Sequence, residues 1–247
     1  MDFWFNLKKA RKEQFPECYS FLLEDSRELL NMALTVSKEE HEERMQKCKE
    51  LVNTYQYAVG GELLHRGYYC PSPVKDIVMG NCNRGKMIKH PIKFEQKMMY
   101  EYGFCDDQLL LIKHNIDDQI IETEYISYTD SKQIGCTFNS EMKLRTISEC
   151  IYNDDKLTSY FLVNLDSFNS IASCEKEIYE YKNGWLHSAT LYMMQTANSC
   201  LHDKYIFSHD SDGYLSSYKV VEYENGNIKE DFYWKDHSFK VTKKRRV

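Results

Sequence analysis

No stretch of this sequence reaches the roughly 18 apolar residues that a membrane helix requires, so a soluble chain is expected. It does not open like a secreted protein either. Met1-Asp2-Phe3-Trp4-Phe5-Asn6-Leu7-Lys8-Lys9 places its charges after an aromatic patch, without an apolar segment or a small-residue cleavage site. The cysteines lack any grouping: Cys18, Cys48, Cys70, Cys82, Cys105, Cys136, Cys150, Cys174 and Cys200 stand singly, at least ten residues apart. That is neither a zinc spacing nor a redox pair, and an odd number leaves a thiol over in any disulfide scheme. Reduced cysteines serving as small hydrophobes in a cytoplasm are the expectation. Positive charge is not in excess. The formal net charge of -6 disfavours nonspecific nucleic-acid binding, which rests on clustered Lys and Arg, and permits a basic protein partner.

Complete chemical motifs are missing too. Gly80-Asn81-Cys82-Asn83-Arg84-Gly85-Lys86 has the spacing of a phosphate-binding loop and follows Ile77-Val78-Met79. Met87, however, stands where Ser or Thr would ligate Mg²⁺, and Pro91 falls inside the helix that should follow, so an exposed loop is expected. Glu62-x-x-His65 has the spacing of half a di-iron site, with no second copy. Ser208-x-Asp210-x-Asp212-Gly213-x-Leu215 follows the first half of a calcium loop, but Lys219 occupies the position of the bidentate Glu, so a hairpin turn is expected. The acid pairs Asp106-Asp107, Asp117-Asp118 and Asp154-Asp155 fall at predicted turns, and no Gly-x-Ser-x-Gly elbow occurs. The expectation is no metal, no cofactor and no catalytic residue.

What is present points to an α+β fold. Apolar residues make up 42% and aromatics 14%, including 19 Tyr, a composition that can build a core and argues against disorder. Phe21, Leu22, Leu29, Leu30, Ala33 and Leu34 predict a helix ending near Thr35-Val36. Ser37-Lys38-Glu39-Glu40 reads as a capping box, with Glu40 reaching back to the cap's own N–H. Met45, Cys48, Leu51, Val52, Tyr55 and Val59 then predict an amphipathic helix of about six turns, stopped by Gly60-Gly61, that pairs with the first as an antiparallel hairpin. The run Glu39-Glu40-His41-Glu42-Glu43 is its solvated start. Residues 67–91 are punctuated by Gly and Pro and read as a loop around one short strand, Val74 to Met79.

From about Phe94 the pattern becomes β-branched and aromatic runs separated by Asp/Asn/Gly turns. Tyr152-Asn153-Asp154-Asp155-Lys156-Leu157, Tyr181-Lys182-Asn183-Gly184-Trp185-Leu186 and Tyr223-Glu224-Asn225-Gly226-Asn227-Ile228 are the clearest hairpins. Looser ones span 102–109, 128–134 and 207–215. In each, an aromatic ends one strand, the turn residues supply positive φ, and an aliphatic opens the next strand. Starts at Tyr128, Tyr152, Tyr181 and Tyr223 are 24, 29 and 42 residues apart, which fits a meander and not a rigid repeat. One sheet face, carrying Ile151, Phe161, Val163, Ile178, Leu191, Tyr205, Val220 and Phe232, is expected to be covered by the N-terminal helices. The boundaries are 1–90 for the helical region with its junction at 67–91, 92–242 for an antiparallel β-meander, and 243–247 for a basic tail. The first two are expected to fold as one cooperative unit, and the solvated Lys243-Lys244-Arg245-Arg246 tail to discourage pairing of the last strand with other chains.

These Tyr-x-Asn-Gly-x-Leu hairpins resemble those of MORN-variant repeat proteins, some of which are antitoxins in bacterial toxin systems. They are also similar to the tyrosine-aspartate repeats of polymorphic toxin shells. The resemblance implies a bacterial, cytoplasmic immunity or antitoxin protein that binds another protein, such as a toxin, without chemistry of its own. Trp185, Tyr214, Tyr233 and Trp234 lie at or near hairpin turns and are the candidate contacts, with ordinary cross-strand packing as their structural alternative. Two other readings stand beside this one: a small-molecule enzyme with a cleft between helices and sheet, and a structural adaptor.

Overall fold

The computed structural model describes residues 17–80, 82–91, 98–116, 119–196, 199–229 and 238–240. A 3₁₀ turn, Glu17–Tyr19, leads into α1 (Ser20–Leu34), α2 (Lys38–Leu51) and, later, the single turn α3 (Lys75–Val78). The first strands are β1 (Thr54–Val59), β2 (Lys86–Ile88), β3 (Met98–Cys105), β4 (Gln108–Ile116), β5 (Gln119–Tyr128), β6 (Lys132–Asn139) and β7 (Leu144–Asn153). They are followed by β8 (Lys156–Leu165), β9 (Ile171–Lys182), β10 (Trp185–Thr196), β11 (Ser199–His209), β12 (Leu215–Glu224), β13 (Asn227–Ile228) and β14 (Ser238–Lys240).

All belong to one antiparallel sheet. From β3 to β13 each strand pairs with the next in sequence, as short connections demand. β1 adds to β3, β2 lies outside β1, and β13 and β14 share the far side of β12. The helical N-terminal region and the meander are thus both present, and the sheet dominates.

The three clearest hairpins close as expected. Asp154-Asp155, Asn183-Gly184 and Asn225-Gly226 all have positive φ, and Tyr152, Tyr181 and Tyr223 sit opposite Leu157, Leu186 and Ile228. At two of the hairpin tyrosines the hydroxyl does what Phe could not. Tyr128 donates to the Leu109 carbonyl (2.7 Å) and Tyr181 to that of Leu157 (3.0 Å), tying each hairpin to the one before it.

A second kind of connection is less visible in the sequence. In the segments 139–143, 166–170 and 210–214, the first side chain, Asn139, Asp166 or Asp210, accepts from the N–H groups two and four residues ahead. The fourth residue, Met142, Asn169 or Gly213, has positive φ in every case.

Several expectations are overturned. The helix expected to run to Val59 ends at Leu51: Val52 turns extended, and the Asn53 N–H bonds the Phe104 carbonyl, starting β1. Tyr55, Tyr57 and Val59 suit a strand at least as well as a helix, and the free edge of β3 decides between them. Ser37 caps α2 by accepting from the Glu40 N–H at 3.1 Å, but the Glu40 side chain pairs with Arg44 instead of closing the box. His41 is buried, not solvated. Its ring bridges the Tyr125 hydroxyl (2.6 Å) and the Ala33 carbonyl (3.0 Å), and burial lowers its pKa. The two helices do not pair along their lengths. They meet at this joint, and then α1 lies over β7 and β9 and α2 over β3, β4 and β5. Val74 to Met79 contains the turn α3, not a strand.

The list of core positions also mixes the two faces. Cross-strand register puts Phe161, Val163, Cys174 and Met194 under the helices, with Tyr125, Phe138 and Ile147. Leu191, Tyr205 and Val220 point the other way: Leu191 is an odd number of residues from Met194 with no register break between them, and Tyr205 and Val220 align with Ala189 on that same opposite face. Phe232 lies outside the described residues, as do Asp117-Asp118 and the basic tail.

The second face is not open. Residues 60–80 and 82–85, which overlap the junction expected at 67–91, fold over it: Val74 is fully buried in a cluster with Leu157, Tyr160, Tyr179 and Leu191. The sheet is therefore sandwiched between helices on one side and an irregular cover on the other. Because β1 is bonded to β3 and the cover leaves from β1 and returns through β2, a nick between Gly67 and Pro91 is expected to leave the chain associated under native conditions. Limited proteolysis followed by gel filtration checks this; two separately folded fragments would refute a single unit.

Candidate functional site

Two features stand out in the sandwich: a set of buried charges beneath the cover, and an aromatic cluster at one end of the sheet. The charges begin with Arg66, a residue in left-handed conformation (φ 64°) whose guanidinium is 2% exposed. Its Nε and Nη2 donate to Glu124 Oε1 at 2.9 and 2.8 Å, and Nη2 also reaches Ser148 Oγ at 3.0 Å. The Arg66 carbonyl accepts from the Tyr102 hydroxyl, which in turn accepts from the Tyr68 N–H. His65 Nε2 lies 3.3 Å from Glu124 Oε2, while Nδ1 meets the Tyr160 hydroxyl at 2.9 Å. Burial opposes the Glu124 charge, but Arg66 and His65 overcome it and hold the carboxyl well below the usual range. Burial dominates at His65 and lowers its pKa, so the ring is neutral. Gly135 makes room for the pair, since a Cβ there would collide with Glu124, Arg66 and Ser148 together.

A second cluster follows along the same face. Lys75, from α3, contacts Glu175 and lies 4.0 Å from Glu177 Oε1. Glu177 has no exposed surface; Oε2 accepts from Ser72 Oγ (2.7 Å) and the Tyr179 hydroxyl (2.5 Å), and Oε1 has no hydrogen-bond partner among the described residues. Burial, with the Glu175 carboxylate second, pushes the Glu177 carboxyl up to about 8. Arg84 staples the cover internally, donating to the carbonyls of Cys70 and Ser72 and pairing with Asp76 at 3.2 Å.

The sequence motifs resolve within this frame. Lys86 of the phosphate-loop spacing opens strand β2, not a helix, and Arg84 of the same motif points into the cover. Glu62 is exposed and His65 turns inward, so the two do not converge on a common site. Asp210 of the calcium-like run binds the backbone N–H groups of Asp212 and Tyr214. Arg66, Glu124, Lys75 and Glu177 carried no motif. A lone Arg beside Gly67 in a loop-rich stretch is the one local hint.

At the end of the sheet where β3/β4, β5/β6, β7/β8, β9/β10 and β11/β12 connect, Trp185 is 37% exposed. Its ring rests on Gly213, where any Cβ would collide with the indole, and tilts against His209 at 5.9 Å. Tyr214, half-buried, follows in the same turn. Structure thus brings Trp185 and Tyr214 to adjacent hairpins; Tyr233 and Trp234 lie outside the described residues. The same end carries exposed acids at its turns: Asp106, Asp107, Asp130, Asp154, Asp155 and Asp212. Elsewhere, an open hollow of about 670 Å³ follows the outer stripe of α2 along Glu39, Glu42, Glu43, Gln46, Lys47 and Glu50.

No known protein family matches this chain, and no curated protein is significantly similar to it. No helix of the described residues is long and apolar enough to cross a membrane, and none of the nine cysteines is in a disulfide.

Removing Glu124 as Glu124→Ala strands the Arg66 guanidinium without a counter-charge in the interior, an effect worth about 3–5 kcal/mol. Gly135→Ala is expected to destabilise through overpacking by about 1–3 kcal/mol or more. Urea unfolding of both variants checks this. The pH dependence has a definite sign: Glu124's folded pKa is depressed, so its contribution is present above the ordinary carboxylate range and is lost as pH falls below it.

Proposed function

We propose that this protein is a non-enzymatic binding module that uses the turn end of its sheet to hold another protein. Direct neutralisation of a toxin is the narrowest form of that reading. The observation that carries it is the seat of Trp185. A large aromatic held in place by Gly213 and His209, with over a third of its surface free, is a pre-organised anchor that loses little freedom on binding.

The surrounding turn aspartates favour a basic partner. Successive hairpins in an antiparallel sheet lie about 10 Å apart, so the acids form a row, not a point, and a row speeds encounter with an extended basic surface. The sheet behind them is packed on both faces, and two tyrosine hydroxyls tie neighbouring hairpins together. Unpaired cysteines suit a reducing compartment such as the cytoplasm.

The test is co-expression with the product of the adjacent gene, scored for complex formation and for protection from any toxicity of that product. Trp185→Ala is expected to weaken the complex at least tenfold, about 1.4 kcal/mol, at a temperature well below its unfolding midpoint. Asp154→Asn with Asp155→Asn is expected to slow association and flatten its salt dependence. Absence of both complex and protection would sink the neutraliser reading; a complex indifferent to Trp185 would move the contact elsewhere.

A further inference from the structure

The second charge cluster has an arrangement that packing alone does not require. Two carboxylates, Glu175 and Glu177, project two residues apart from β9 toward one ammonium, Lys75, on the cover. Every other charged group near them is already matched. Arg84 and Asp76 pair with each other, and Arg84's remaining donors take the Cys70 and Ser72 carbonyls. The other titratable neighbours are uncharged near neutrality: Tyr160 lies opposite Glu177 on β8, Tyr179 follows on β9, and Cys70 faces it from the cover, all with pKa values raised by burial. On the β10 side the register partners of Glu177 and Glu175 are Leu191 and Met193, which supply no charge.

With both acids ionised the cluster would carry one uncompensated negative charge in the interior. With one proton retained it is neutral. Glu177 is the acid that retains it: it is the fully buried one, its Oε1 lacks a hydrogen-bond partner, and Lys75 stands nearer to Glu175.

We propose that Lys75, Glu175 and Glu177 form a proton-operated latch that holds the Gly60–Gly85 cover against the sheet, and that losing the shared proton favours release of the cover. The latch is placed for that task. Lys75 and Ser72 both belong to the cover, Glu175 and Glu177 to the sheet, and Ser72 Oγ also accepts from the Lys75 N–H at 3.0 Å. Opening would return Glu177 to water and to an ordinary carboxyl value of 4.5, whereas the closed form keeps its proton up to about 8. Between those limits the closed form binds one proton more than the open form. Opening is therefore favoured up to tenfold per pH unit as pH rises through that window, and levels off above it.

Hydrogen–deuterium exchange of the full chain tests the latch, comparing wild type with Glu177→Gln, which imitates the protonated acid. Intrinsic exchange rates in peptides from residues 60–80 are the same in both proteins, so the ratio of their rates isolates opening. That ratio is expected to rise roughly tenfold or more between pH 5.5 and 7.5, with peptides of β6 to β8 unchanged. A ratio constant across pH would overturn the proposal. An equal change throughout the sheet, indicating global unfolding and not release of the cover, would overturn it too. If Glu177→Gln does not fold, Glu175→Gln takes its place, because a single carboxylate opposite Lys75 has no proton to share and the same rising ratio is expected.

Discussion

The Arg66–Glu124 pair is the interaction on which the rest of this structure depends. A sheet buried on both faces cannot accept an irregular cover unless the cover's polar groups find partners, since unmatched buried donors and acceptors are costly. Arg66 meets that demand at the middle of the sheet, reaching from the cover to Glu124 on β5 and Ser148 on β7 while its own carbonyl is held by Tyr102 on β3. The Cβ missing at Gly135 is the space into which this fits. Once Arg66 is fixed, the chain on either side has little choice: upstream it runs back into β1, and downstream it lays Ser72, Val74 and Lys75 over Tyr160, Glu175 and Tyr179.

The two faces are held by different physics. Beneath the helices the contacts are mainly apolar, with His41 as a neutral polar hinge between α1 and α2 and one part-buried ion pair, Asp25–Lys176, joining α1 to β9. Beneath the cover, charges and hydroxyls share the interface with the aliphatic and aromatic cluster around Val74. An apolar interface loosens little with pH, whereas one built on ionisable groups responds to it. The proposed latch is the local expression of that difference, whereas Arg66–Glu124 stays charged across the latch's window and responds only at lower pH.

The turns carry a parallel lesson about acids. Asp210 belongs to a calcium-like run in the sequence, yet it accepts two backbone N–H groups and so completes its own loop, as Asp166 does in another turn. The same close packing at the loop ends creates the Trp185 seat, because a Gly in left-handed conformation at position 213 leaves a flat surface on which an indole from the neighbouring hairpin can lie.

By itself the sequence determined what depends on neighbouring residues: the Asn-Gly and Asp-Asp hairpins, the Ser37 cap, the helix α1 and, through short connections, the order of the meander. Tertiary structure decided the rest. Thr54–Val59 became a strand because the edge of β3 was free, and cross-strand register decided which side chains face the helices. The buried pairs join residues far apart in the chain, 58 positions for Arg66 and Glu124 and 105 for Ser72 and Glu177. No periodicity or turn rule encodes such partners. They are chosen when a polar cover and a closed sheet face come together and every buried charge must find its opposite.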